Sequence, residues 1–92
     1  MIKANEYFEG KVKSLGQEVD GKSFTVGIIE AGEYTFGTST HELMEIIIGE
    51  MEAKLPDGSS KIYKKGESFS VPANAEFTVL VKEPVSYLCI YS

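Results

Sequence analysis

Apolar and polar residues alternate with a period of two along most of this chain, and glycines and prolines interrupt the alternation at short intervals. Phe24, Val26 and Ile28 alternate with Thr25 and Gly27, and Tyr34 and Phe36 alternate with Glu33 and Thr35. After His41 the even positions Met44, Ile46 and Ile48 are apolar. Gly49 resets the register, and the odd positions Met51, Ala53 and Leu55 then stand apolar between charged neighbours. Further strand-like runs cover Tyr7–Leu15, Lys61–Lys64, Ser68–Val71, Glu76–Lys82 and Ser86–Tyr91, about nine in all, and no helix of useful length is predicted. Pro56-Asp57-Gly58 is a tight-turn signature, since proline presets φ and glycine accepts φ > 0. The charged segment Lys64–Glu67 surrounds a second glycine turn, at Gly66, suited to a rim.

Strands with one apolar and one polar face belong to antiparallel sheets packed on one side. A small domain built only from such strands folds as a sandwich or a jelly-roll barrel. The expected fold is therefore all-β, a single domain over residues 1–92.

Composition narrows the functions available. The 92 residues carry 14 acidic side chains against nine basic ones, for a net charge of −5, and all nine are lysines. A polyanion is repelled by such a surface, which excludes nucleic acid as the expected partner. No apolar run approaches the ~20 residues that span a bilayer, and the first ten residues hold no secretory apolar core. Cys89 is the only cysteine, so no intramolecular disulfide or multi-cysteine zinc site can form. A cytoplasmic location is expected. A chain this short has little core of its own, and pairing with a second copy is a natural way to bury more apolar surface.

Two punctuated segments match the halves of a known signature. In G-x5-H-x-H-x3-4-E-x6-G, Glu42 and Gly49 hold the last two positions, and Phe36 and Thr38 fall on the two histidines. In G-x5-P-x-G-x2-H, Gly66 and Pro72 hold their places, Asn74 replaces the second glycine, and Phe77 falls on the histidine. Asparagine tolerates left-handed backbone better than other non-glycine residues, so the turn is kept. The signature is that of the cupins, and the chain resembles a cupin whose three metal-binding imidazoles have been replaced. One remaining carboxylate is a poor divalent-metal site, so no metal and no cofactor are expected. His41 lies outside both histidine positions and reads as a surface residue.

Longer stretches resemble one group within that fold, the small single-domain pyrimidine/purine nucleoside phosphorylases. They are Asn5-Glu6-Tyr7-Phe8 with Gly10–Ser14, Gly32–Phe36, Phe69–Pro72, Glu76-Phe77, Glu83-Pro84 and Ser86–Cys89. The resemblance implies a homodimer that cleaves nucleosides with inorganic phosphate, giving free base and ribose 1-phosphate. The chain departs from the group at His41, at the pair Asn74-Ala75, and at Ile90, where some relatives carry an arginine suited to phosphate.

Phosphorolysis at the anomeric carbon passes through an oxocarbenium-like state. Glu42 is the catalytic candidate, because a carboxylate can hold ribose hydroxyls and place negative charge near that cation. Tyr34, Phe36 and Phe77 offer π faces on which any base can stack. For phosphate the candidates are the loop Gly37–Thr40, with Thr38 as its substrate-binding residue, or a lysine reaching into the cavity mouth. The alternative reading is a non-catalytic cupin that binds a small ligand or a protein partner.

Overall fold

Turns at the glycine- and proline-marked positions cut the chain into ten strands in the computed structural model, which describes residues 1–92. They are β1 (Lys3–Tyr7), β2 (Val12–Val19), β3 (Lys22–Ile29), β4 (Gly32–Gly37), β5 (Glu42–Ile48), β6 (Glu50–Lys54), β7 (Ser60–Lys64), β8 (Ser68–Val71), β9 (Glu76–Val81) and β10 (Val85–Tyr91). Every pairing is antiparallel. One sheet has six strands in the order β1-β2-β3-β10-β5-β8, and the other has four in the order β4-β9-β6-β7. The sheets do not join into a closed barrel; they face each other as a jelly roll over a shared apolar core. Val12, Ile29, Ile46, Met51, Val79 and Val85 lie fully buried there.

Three stretches depart from the simple alternation. On β3 the apolar set faces outward: Val26 is 42% and Ile28 57% exposed, while Thr25, Gly27 and Ile29 point into the core. Opposite Tyr87 the inner face of β3 has a glycine, because the ring packs over it. A Cβ at Gly27 would lie 2.7 Å from the Tyr87 ring and from the Lys13 carbonyl.

On β5, Met44 and Ile46 are buried as expected, but Ile48 is 64% exposed. The ladder to β10 pairs Tyr87 with Ile46 and Ser86 with Ile48, so Ile47 is an unmatched extra residue. Such a bulge flips the facing of everything beyond it.

The third departure splits the expected Tyr7–Leu15 strand. Phe8, Glu9 and Gly10 take φ of 53°, 58° and 86°, a single left-handed turn between β1 and β2. Left-handed backbone costs an L-residue about 1–2 kcal/mol each and is usually visited singly.

Elsewhere the local signals act as their chemistry demands. Gly58 and Gly66 have positive φ in their turns, and Asn74 adopts φ 56° in place of the glycine of the signature. The Thr38 hydroxyl fastens two loops together, donating to the Pro72 carbonyl at 2.7 Å and accepting from the Ala75 N–H at 3.0 Å.

Gly27→Ala tests the packing of Tyr87 on β3. The added methyl has no space without moving the ring or the β2 backbone, so a loss of about 1–3 kcal/mol is expected in chemical denaturation. An unchanged midpoint would show that the ring has room to move.

Candidate active site

A cavity of about 470 Å³ opens between the inner face of the six-stranded sheet and the β4–β9 edge of the other. Its size is that of an ordinary small-molecule site. One wall is aromatic. Phe36 on β4 and Phe77 on β9 are directly opposite in the ladder, and their rings stack at 5.5 Å and 30°. Phe77 packs in turn on Phe69, and Phe69 on Tyr63, which ties the wall to the core. Phe8 stands at the edge of the cavity, its ring at 88° to that of Phe36.

The opposite wall is polar and comes from alternate residues of two neighbouring strands. β10 contributes Tyr87, Cys89 and Tyr91, and β5 contributes Glu42 and Met44. Glu42 pairs with Tyr91 and Met44 with Cys89 in the ladder. The Cys89 thiol donates to Glu42 Oε1 at 3.5 Å, and the Tyr91 hydroxyl shares a 3.0 Å hydrogen bond with Thr25 on β3. No buried side-chain polar atom lacks a partner.

Burial sets the protonation of this wall. The Glu42 carboxyl is pushed above its ordinary range by desolvation, opposed by the Cys89 hydrogen bond and by nearby His41. The Cys89 thiol is pushed up to about 12 by burial and by the negative charge of Glu42. Burial also raises the Tyr87 phenol to about 12 and raises that of Tyr91. Burial thus favours the protonated forms of the thiol and the two phenols along this wall.

Of the side chains singled out in the sequence, Glu42, Phe36 and Phe77 line the cavity together. Tyr34 lies behind the wall, buried, with its hydroxyl donating to the Glu30 carbonyl at 2.9 Å and its ring against Phe8. Thr38 lies outside the cavity, its hydroxyl occupied by the Pro72–Ala75 loop. Tyr87, Cys89, Tyr91 and Phe8 were not singled out as site residues. The odd-position alternation of Tyr87, Cys89 and Tyr91 was the available signal for three of them.

Ile90 points the other way. Its ladder partners are Phe24 and Leu43 on the outer face, so its identity does not alter the cavity. His41 sits at the rim, bonded through Nδ1 to Ser92 Oγ at 3.0 Å. No three His, Cys, Asp or Glu side chains converge anywhere to hold a metal, so the residues present do not fit the metal site of the signature.

Fold and site together define a cupin with an aromatic and phenolic cavity where the metal ligands of the signature would stand. An RmlC-like cupin from Shewanella frigidimarina shares the fold, with a TM-score of 0.80 at 16% identity over 99% of this chain and 83% of that one. Residues 2–91 match the family described as pyrimidine/purine nucleoside phosphorylase, and the chain belongs to that family.

Relatives bearing that name include one from Pectobacterium carotovorum, 48% identical, and one from Pseudomonas syringae, 46% identical, each over 99% of both chains. A solved structure from Vibrio parahaemolyticus, described as of unknown function, superposes with a TM-score of 0.95. It is 42% identical over 100% of this chain and 99% of that one.

The raised Glu42 carboxyl has a consequence for stability. Its folded-state pKa lies above the unfolded one, so the native state binds the extra proton and loses stability as pH rises through that interval. Glu42→Gln removes this penalty. Thermal melts across pH 4–8 should show the variant gaining on the parent as pH rises. A constant difference would mean the carboxylate is better compensated than its burial suggests.

Proposed function

We propose that this chain catalyses phosphorolysis of purine and pyrimidine nucleosides, giving free base and α-D-ribose 1-phosphate. The observation that carries the reading is the meeting of one carboxylate, Glu42, with the stacked Phe36–Phe77 pair in a single cavity. The base lies against the aromatic wall, which every base can use because every base has a π face. Glu42 accepts hydrogen bonds from ribose hydroxyls and opposes the positive charge that grows on the anomeric carbon. The phosphate oxygen forms the new bond to that carbon as the N-glycosidic bond breaks, and the base leaves with the bonding pair and takes up a proton.

The phenols of Tyr87 and Tyr91, held protonated, and the Ser14 hydroxyl are the donors available to phosphate on the polar wall. They take over the role that the sequence gave to Thr38. No step uses a metal. The protein acts in the cytoplasm, and no helix is long and apolar enough to cross a membrane.

Purified protein incubated with a nucleoside panel should release base only when phosphate is present, at a rate unaffected by chelator. Glu42→Gln should lower kcat by on the order of 10²–10³, the loss of one charge-assisted transition-state contact, about 2–4 kcal/mol. Parent-like phosphorolysis by folded Glu42→Gln would make the carboxylate structural. A folded parent that frees no base from any nucleoside would leave a ligand-binding cupin instead.

The active form in this reading is a homodimer formed through the outer face of the six-stranded sheet. Leu15, Val26 and Ile28 stand exposed there in adjacent rows, with Leu88 beside Val26 in the ladder. Exposed apolar clusters of this kind mark interfaces. Lys11, Lys13, Glu6 and Glu30 border the same surface, so a twofold-related copy meets both signs of charge. Light scattering at micromolar concentration should give about twice the 10.1 kDa chain mass. Ile28→Glu should shift it to monomer, and a monomeric parent would refute the interface.

A further inference from the structure

The left-handed turn Phe8–Gly10 contributes nothing to the apolar core. Phe8 is 43% exposed, none of the three residues is buried, and a backbone hydrogen bond runs from Lys11 N–H to the Phe8 carbonyl at 3.2 Å. A bulky aromatic at positive φ is a conformational outlier, and such outliers persist where the surroundings gain from them.

What the turn achieves is the position of one ring. The Phe8 ring reaches over the edge of the cavity and contacts Tyr34 at 5.0 Å and Phe36 at 5.5 Å, edge-to-face with each. Tyr34 is fixed from behind by its hydrogen bond to Glu30. Phe8 and Phe36 thus form a right-angled corner at the cavity's entrance, and a planar base lying flat on one ring meets the other along its edge.

We propose that Phe8 is a substrate-contacting residue that closes the base subsite, with Tyr34 as the positioning residue that sets its ring. The proposal rests on the nucleoside reading of the cavity and adds a side wall to the Phe36–Phe77 floor. A wall reached through a strained, exposed turn can shift outward for a two-ring base and inward for a one-ring base. The remaining wall residues, held in paired strands, have no such freedom.

The test is equilibrium binding of inosine and of uridine without phosphate, by calorimetry, so that no turnover is needed. Phe8→Ala should weaken both by on the order of tenfold, while Phe8→Tyr should bind as the parent does. Because Phe8 is 43% exposed and lies outside the apolar core, melting temperatures should stay close to that of the parent. Glu9→Gly keeps the left-handed turn with a residue suited to it and should leave both affinities unchanged.

Phe8→Ala binding both nucleosides like the parent would overturn the proposal and leave the nucleoside reading standing. Equal losses in Phe8→Ala and Glu9→Gly would also overturn it, because the turn rather than the ring would then matter. If the parent binds neither nucleoside, the reading of the cavity fails and this proposal falls with it.

Discussion

Strand β10 runs between β3 and β5, and its two-residue side-chain period divides the molecule's chemistry. Tyr87, Cys89 and Tyr91 enter the cavity while Ser86, Leu88 and Ile90 reach the outer face. A slip of one residue would exchange the two sets, putting phenols on the surface and aliphatic side chains in the site. The register is held on both sides, by seven paired positions with β3 and six with β5. Gly27 adds a steric lock, since only a residue without a side chain leaves room for the Tyr87 ring. The cavity, the placement of Glu42 beside Cys89 and the apolar outer face all follow from that one alignment.

Much of the fold was legible because it rests on local rules. The turn at Pro56–Gly58, the left-handed Asn74 and the inward Met51 and Ala53 are set by backbone preference and by strict alternation. What escaped the pattern depends on partners distant in sequence. The bulge at Ile47 exists only in relation to β10, and it turned Ile48 outward. The outward facing of Val26 and Ile28 depends on Tyr87, some sixty residues away, occupying the space above Gly27. A period of two tells which residues share a face, and it does not tell which face is the core.

The site was legible to a similar degree. Motif spacing pointed to Glu42, Phe36 and Phe77, which line one cavity because the signature encodes positions on strands that face it. Thr38 and Tyr34 do not line that cavity; their hydroxyls turn to backbone carbonyls nearby. In this cupin the scaffold's three imidazole positions have become two stacked rings and one structural hydroxyl. The remaining carboxylate is kept in a place where ionisation is costly.

Cys89 carries that arrangement into the molecule's relation with its environment. Thiol reagents and peroxides attack the thiolate, and a sulfur whose proton is held until about pH 12 is almost never in that form. The chain's single cysteine is also buried, with its S–H already engaged by Glu42. The thiol itself is therefore a poor target for oxidants and alkylating reagents.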